Sequence, residues 1–336
     1  MAIQFLQELT PGSQEWKEQR RKYITGTDIA PLMLKKELKP SWMATRAEIY
    51  LDKIGELPDK PQNAAMRRGT AMEDPTANRY AKRMGFAVYS CPMIVDGIFA
   101  ANIDRLVAMP DAPAASEDGK TITAKRILEC KTASKAWGQK SPIYYYGQPQ
   151  WYMGFLPDCE SADIACWFGD YVKNFKDDEP DDDFAIYHHE RNQEFIDQAR
   201  EIATEFMEKY VKARVFPEPE SEEECRIKWA VSSNLDAITA TKEIEFALDR
   251  IHRIDGIKEK LDTARQDEVK KIMELMKDHA YLKSVSGDML VSWKSSKGRT
   301  SIDYKGLLAK YYPDVTEEQI KEFTTVGKGS RSFKIL

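Results

Sequence analysis

Three short apolar segments in succession, Ala87–Val95, Phe99–Val107 and Arg126–Lys131, constrain this chain more than any other feature. Their length, their valine, isoleucine and phenylalanine content, and the turn-forming stretch MPDAPAASEDGK between the second and third predict strands. Asn63–Met84 carries apolar or small residues at helical spacing and meets a stop at Gly85. Tyr144–Phe155 reads as a second helix and Ser161–Tyr171 as a further buried strand. Helix, meander, helix, strand is an α/β order built on one central sheet.

A length of 336 residues allows one large domain or two of ordinary size. Residues 176–183 (KDDEPDDD) and 216–224 (FPEPESEEE) are acidic and proline-containing and read as exposed loops or a linker. A boundary at the second gives domains 1–215 and 216–336. In the latter, 235–278 repeats apolar residues at three- or four-residue steps, which predicts amphipathic helix, turned into a hairpin at Gly256. Segments around Ser286-Gly287-Asp288 predict a β-hairpin, and Asp303–Tyr311 a short helix.

The chain has no apolar run approaching the ~20 residues of a membrane helix, and its first residues lack a signal-peptide pattern. A soluble, cytoplasmic protein with no membrane partner is expected. Five cysteines without a C-x-x-C pair argue against a zinc ribbon or an iron–sulfur cluster. With only four histidines, metal chemistry must lean on carboxylates, which suits Mg²⁺ or Mn²⁺. Lys and Arg number 50 against 55 Asp and Glu, which argues against a protein that coats nucleic acid by bulk positive charge. The exception is local: between Trp16 and Arg46, eight basic residues face three acids.

Chemistry concentrates in the predicted strands. Glu129 and Lys131 are two apart and share a face, opposite apolar Leu128. Asp104 lies on the neighbouring strand and is expected to meet Glu129 at one sheet edge. Two carboxylates offer hard oxygen ligands, and a lysine beside them can position a water. Glu73, on the preceding helix, is a candidate third acid. Arg20 presents a planar fork suited to phosphate, and Thr27 a hydroxyl. The turn at Gly26 opens a helix whose N-terminus favours anions.

Taken in order, Trp16-Lys17-Glu18-Gln19-Arg20, Ile24-Thr25-Gly26-Thr27, Gly69-x-x-x-Glu73, Ile103-Asp104-Arg105-Leu106, Leu128-Glu129-Cys130-Lys131 and Tyr146-Gly147-Gln148-Pro149-Gln150-Trp151-Tyr152-Met153 resemble the YqaJ-type viral recombinase family. That family contains phage lambda exonuclease and belongs to the PD-(D/E)xK nuclease superfamily. The resemblance covers about residues 13–170. It implies a central mixed sheet flanked by helices, with 216–336 as a helical and β-hairpin extension. It assigns metal binding to Asp104, Glu129 and the Cys130 carbonyl, and catalysis to Lys131, with Glu73 as the upstream helix acid and Gln148 near the nucleophilic water. Arg20 and Thr27, with Thr25 and Arg21 beside them, are implied to hold the 5′-phosphate. Many relatives carry Ser-Pro-Asp-Gly where this chain has Asn102-Ile103-Asp104-Arg105, so the aspartate is kept in a turn of different composition.

The implied activity is a Mg²⁺-dependent 5′-to-3′ exodeoxyribonuclease that acts on linear duplex ends and leaves 3′ single-stranded tails. The implied setting is a homotrimeric ring, a single-strand annealing partner, and a bacterial host cell with phage or prophage origin. The rival readings are a restriction-like or structure-specific endonuclease and a non-catalytic DNA-binding recombination scaffold.

Overall fold

In the computed structural model, residues 4–6, 9, 13–58, 61–116, 121–169, 183–232, 236–296, 298, 303–312 and 314–324 are described. In chain order the first unit contains β1 (Gln4–Phe5), α1 (Gln14–Arg21), α2 (Gly26–Met33), α3 (Arg46–Lys53) and α4 (Ala64–Met84). Next come β2 (Ala87–Tyr89), β3 (Ile94–Asp96), β4 (Phe99–Ala101), β5 (Arg105–Ala108), β6 (Arg126–Ala133) and α5 (Ile143–Met153). The unit closes with β7 (Ser161–Phe168), β8 (Phe184–Glu190), α6 (Gln193–Phe206) and α7 (Glu222–Lys228).

The principal sheet has the order β2-β5-β6-β7-β8, with β6 and β7 parallel and the other pairs antiparallel. This is the mixed sheet expected of a PD-(D/E)xK core. Parallel β6 and β7 need a crossover, and α5 supplies it. All eight residues of β7 are buried, as befits a strand covered on both faces. On one face α4 packs Met72, Ala77 and Tyr80 against Val107, Leu128 and Trp167. On the other, α2, α5 and α6 bury Ile29, Trp151 and Ile196 with Ile127 and Ala162. Trp151 also donates its indole N–H to the Ala100 carbonyl at 2.9 Å, which satisfies its one buried donor.

The meander differs from its expected form. Ala87–Val95 and Phe99–Val107 each divide between two sheets: β2 and β5 join the principal sheet, whereas β3 and β4 form a separate antiparallel sheet with β1. Pro92 lacks an amide donor for a continuing ladder, and residues 102–104 bend before β5.

The chain divides into two compact units, Met1–Lys228 and Trp229–Leu336. The boundary lies beyond the expected 215/216 because the acidic stretch 216–224 is a docking strap rather than a linker. Phe216 packs edge-on against Tyr50, Lys39 pairs with Glu220 at 3.2 Å, and Thr45 donates to the buried Glu224 carboxylate. Of the other acidic stretch, 176–182 falls outside the described residues. Asp183 pairs with Arg79 at 2.8 Å.

The second unit is organised around α8 (Lys242–Met276), one continuous 35-residue helix where a hairpin was expected. A lone glycine costs a helix interior only about 1 kcal/mol relative to alanine, and no proline accompanies Gly256 to force a turn. The predicted β-hairpin is present as β9 (Tyr281–Lys283) and β10 (Met289–Ser292), with Gly287 at φ +96° in its turn. Helices α9 (Tyr304–Tyr311) and α10 (Glu317–Glu322) follow, the first capped by Asp303. Among the described residues no helix is long and apolar enough to cross a membrane.

Candidate active site

The expected acidic pair forms in the middle of the sheet rather than at its edge. The β5–β6 ladder ends with Arg105 opposite Leu128, so Asp104 comes level with Glu129 where the two strands part. The strand alternation sends Leu128 and Cys130 towards α4 and Glu129 and Lys131 towards α5. Beyond Leu128 the β6 backbone lacks a β5 partner, and the Asp104 carboxylate substitutes, accepting from the Cys130 N–H at 2.8 Å. A strand residue's N–H and C=O leave on the same side, so the Cys130 carbonyl faces Asp104 as well.

Glu129 is 2% exposed. One carboxylate oxygen accepts from the Lys131 ammonium, and the other, Oε2, is buried without a hydrogen-bond partner. Burial, reinforced by Glu129, pushes the Asp104 carboxyl well above the usual range. Burial also raises Glu129, although Lys131 works against it. Burial depresses Lys131, but Glu129 and Asp104 outweigh it and keep the ammonium charged. Its remaining contact fixes Gln148. A lysine can only donate, so the Gln148 oxygen takes the 3.1 Å bond and its amide nitrogen donates to Tyr152 Oη at 2.9 Å.

This set fits a hard divalent cation. The donors are oxygens, one buried carboxylate oxygen is uncompensated, and two acids converge where burial disfavours their charge. Glu73 is diverted: it accepts from Arg105 at 2.9 Å, and Arg105 also bridges to Asp74 and to the Asp104 carbonyl. Among the described residues no three acidic, histidine or cysteine side chains cluster as a metal site. The donors therefore reduce to Asp104, Glu129 and the Cys130 carbonyl.

Opposite the acids lies the α1–α2 junction. Thr25 caps α2, its N–H and hydroxyl both donating to Asp28, at 2.8 and 3.0 Å. Asp28 is held by Lys53 at 2.9 Å; burial raises its pKa, but Lys53 and Arg20 more than offset this and keep it below the usual carboxylate range. Arg20 donates to the Thr27 hydroxyl and lies 5.3 Å from the Trp16 ring centroid. A single cleft of about 700 Å³ is lined by Arg20, Thr25, Thr27, Glu73, Asp104, Glu129, Cys130, Lys131 and Gln148. Arg21 is not among its walls; it pairs with Asp52 at 3.4 Å in an adjoining depression that Arg20 and Trp16 also line. The local basic excess is likewise dispersed. Lys36 and Lys39 bind Glu220 and Arg46 binds the Leu32 carbonyl, so of the eight basic residues only Arg20 lines the cleft.

Residues 15–155 match the YqaJ-like viral recombinase domain. No curated protein matches the sequence. Among solved structures, this chain resembles the alkaline exonuclease LHK-Exo from Laribacter hongkongensis, at 21% identity and a TM-score of 0.43, over 60% of this chain and 94% of that one. It also resembles a phage-related exonuclease from Haemophilus somnus 129PT, at 15% identity and a TM-score of 0.42, over 59% of this chain and 98% of that one.

Two residues of this site, Tyr152 and Arg105, stand in the quoted sequence motifs but were given no part in the site's chemistry there. Tyr152 orients Gln148, and besides its place in the Tyr146–Met153 motif its signal was the four-residue helical spacing between them. Arg105, directly after Asp104, ties β5 to α4 through Glu73. Gly26 supports both walls. A Cβ there would lie 2.5 Å from Tyr152 Cε1 and 3.0 Å from Gln148 Cγ. Because Tyr152 is buried, Gly26→Ala is expected to cost about 1–3 kcal/mol and to displace Gln148 from Lys131. The Tm should fall; an unchanged Tm would show that α5 yields freely.

Proposed function

We propose that the protein is a metal-dependent deoxyribonuclease of phage recombination that degrades one strand of linear duplex DNA from its 5′ end. The observation that carries this reading is the single cleft with the Asp104–Glu129–Lys131–Gln148 group on one wall and Arg20–Thr27 at a helix N-terminus on the other. One wall suits hydrolysis of a phosphodiester and the other suits a terminal phosphate, which makes an end-directed enzyme the better reading than an endonuclease.

Asp104, Glu129 and the Cys130 carbonyl would hold Mg²⁺ or Mn²⁺. Such an ion supplies Lewis-acid polarisation of the scissile phosphate and a more acidic bound water. The charged Lys131 ammonium donates to the attacking water or to a phosphate oxygen, and Gln148 fixes its direction. Arg20 grips the 5′-phosphate with its guanidinium, Thr27 adds a hydroxyl, and the N-terminus of α2 favours the same anion. Arg105 and Tyr152 keep the acids and Gln148 in register. We further propose a trimeric ring, a single-strand annealing partner and action in the cytoplasm of a bacterial host. A net charge of −5 accords with such an enzyme, which must release and re-grip DNA rather than coat it.

Linear and covalently closed circular duplex DNA, incubated with the protein and Mg²⁺, test this directly. The linear form should be converted to nucleotides and single strands, the circle should persist, and EDTA should stop the reaction. Cutting of the circle would establish the endonuclease reading instead. No release from either form would leave a DNA-binding scaffold.

A further inference from the structure

We propose that Trp42, with Tyr144 and Tyr145, forms a stacking platform for an unpaired DNA base beside the catalytic cleft, an inference that rests on the nuclease reading above. Trp42 is the most exposed of the seven tryptophans, at 64%. Leaving so large an apolar ring in water is costly, yet its loop is held firmly in place. Lys39, before it, is anchored to Glu220, and Thr45, after it, caps α3 and donates to the buried Glu224. The loop therefore presents the indole outward by construction.

The ring does not stand alone. Trp137 and Tyr145 stack with centroids 4.9 Å apart and planes 30° apart, and Trp42 lies 6.4 Å beyond Tyr145 at 31°. Tyr144 meets Trp42 edge-on at 5.5 Å and steadies it. Trp137, Tyr145 and Trp42 form a row of rings, each tilted about 30° to the next, whose inner end is packed against Phe168 and Tyr187 and whose outer end is the exposed indole. A further planar group laid on Trp42 continues the stack. The stack also borders the catalytic group, since Lys131 Nζ is 5.5 Å from the Tyr145 ring centroid. Bases inside a duplex have their faces covered by their neighbours, whereas an unpaired base near the scissile phosphate offers a free π-face. Stacking of this kind holds a strand without reading its sequence, as an enzyme that steps along DNA requires.

The test is equilibrium binding of a 5′-phosphorylated single-stranded oligonucleotide to the Glu129→Gln protein, which reads affinity without turnover. A second oligonucleotide of equal length carries abasic residues at its terminal positions. Trp42→Ala should weaken binding of the normal strand about tenfold or more and leave the abasic strand unchanged, and Trp42→Phe should restore most of the loss. Equal weakening of both strands, or of neither, overturns the platform. So does a change in oligomer mass by light scattering without a change in oligonucleotide binding, which would make Trp42 a subunit contact. Digestion by the wild-type protein is measured alongside. Digestion with unaltered Trp42→Ala binding overturns the platform alone, whereas absence of both digestion and binding overturns the nuclease reading with it.

Discussion

Glu129→Gln is expected to lower the rate of duplex digestion by about a thousandfold or more while leaving the protein folded. The charge that a bound divalent ion places on the phosphate contributes several kcal/mol in the transition state, and each ~1.4 kcal/mol is a factor of ten. The amide keeps the size of the carboxylate and can still accept from Lys131, but it is a poor ligand for a hard cation. Stability should move the other way. Glu129 is buried with one oxygen unpartnered and another acid, Asp104, level with it just before β5, so the metal-free wild-type protein carries an electrostatic cost that the neutral amide removes. In EDTA the variant should therefore melt at or above the wild-type temperature, by about 2–4 °C for each kcal/mol relieved. Adding Mg²⁺ should raise the wild-type Tm and leave the variant nearly unmoved. Thermal scans with and without Mg²⁺ check both statements. A variant that melts well below wild type in EDTA would mean that the Glu129–Lys131 pair outweighs the cost of burial, contrary to this account.

For the end-directed nuclease proposed above, Arg20→Ala is expected to remove most of a preference for 5′-phosphorylated over 5′-hydroxyl ends. A charge-assisted hydrogen bond is worth about 1.5–3 kcal/mol, so digestion of phosphorylated ends should fall roughly 10- to 100-fold. Hydroxyl ends, which have no phosphate to lose, should be cut at nearly the original rate. Arg20→Lys keeps the charge but not the planar fork and should fall between. The comparison of the two ends isolates the role of Arg20, because damage to the fold would slow both equally. The capping network of Thr25, Asp28 and Lys53 keeps its own hydrogen bonds and ion pair without Arg20 and loses only its Coulombic support of Asp28, so Tm should fall little. An intact phosphate preference in Arg20→Ala would move the end-recognition site away from the α1–α2 junction.

Several parts of the site were legible because they depend on local periodicity. A period of two puts Glu129 and Lys131 on one face whatever the sheet around them, and the Thr25-Gly26-Thr27-Asp28 sequence caps a helix from its own side chains. Basic and acidic runs were less informative, because a charge count is blind to partners. Lys36 and Lys39 looked like a DNA surface and Glu220 like a linker until folding set them against one another. Gly256 looked like a turn because glycine permits one, but permission is not compulsion, and α8 runs through it.

The sequence by itself determined the α/β order, the alternation that separates Glu129 and Lys131 from Leu128, and the residue types a metal-dependent phosphodiesterase needs. Tertiary structure alone decided which of them meet. It drew Asp104 level with Glu129 by ending the β5–β6 ladder at Arg105, and it turned Glu73 aside onto Arg105. It also sent Arg20 into the cleft and Arg21 out of it, and left Trp42 facing solvent. The physical reason is that periodicity is a property of a few consecutive residues. The pairing of two charges, or the covering of one ring, depends on the register of strands and helices tens of residues apart, which only the assembled core specifies.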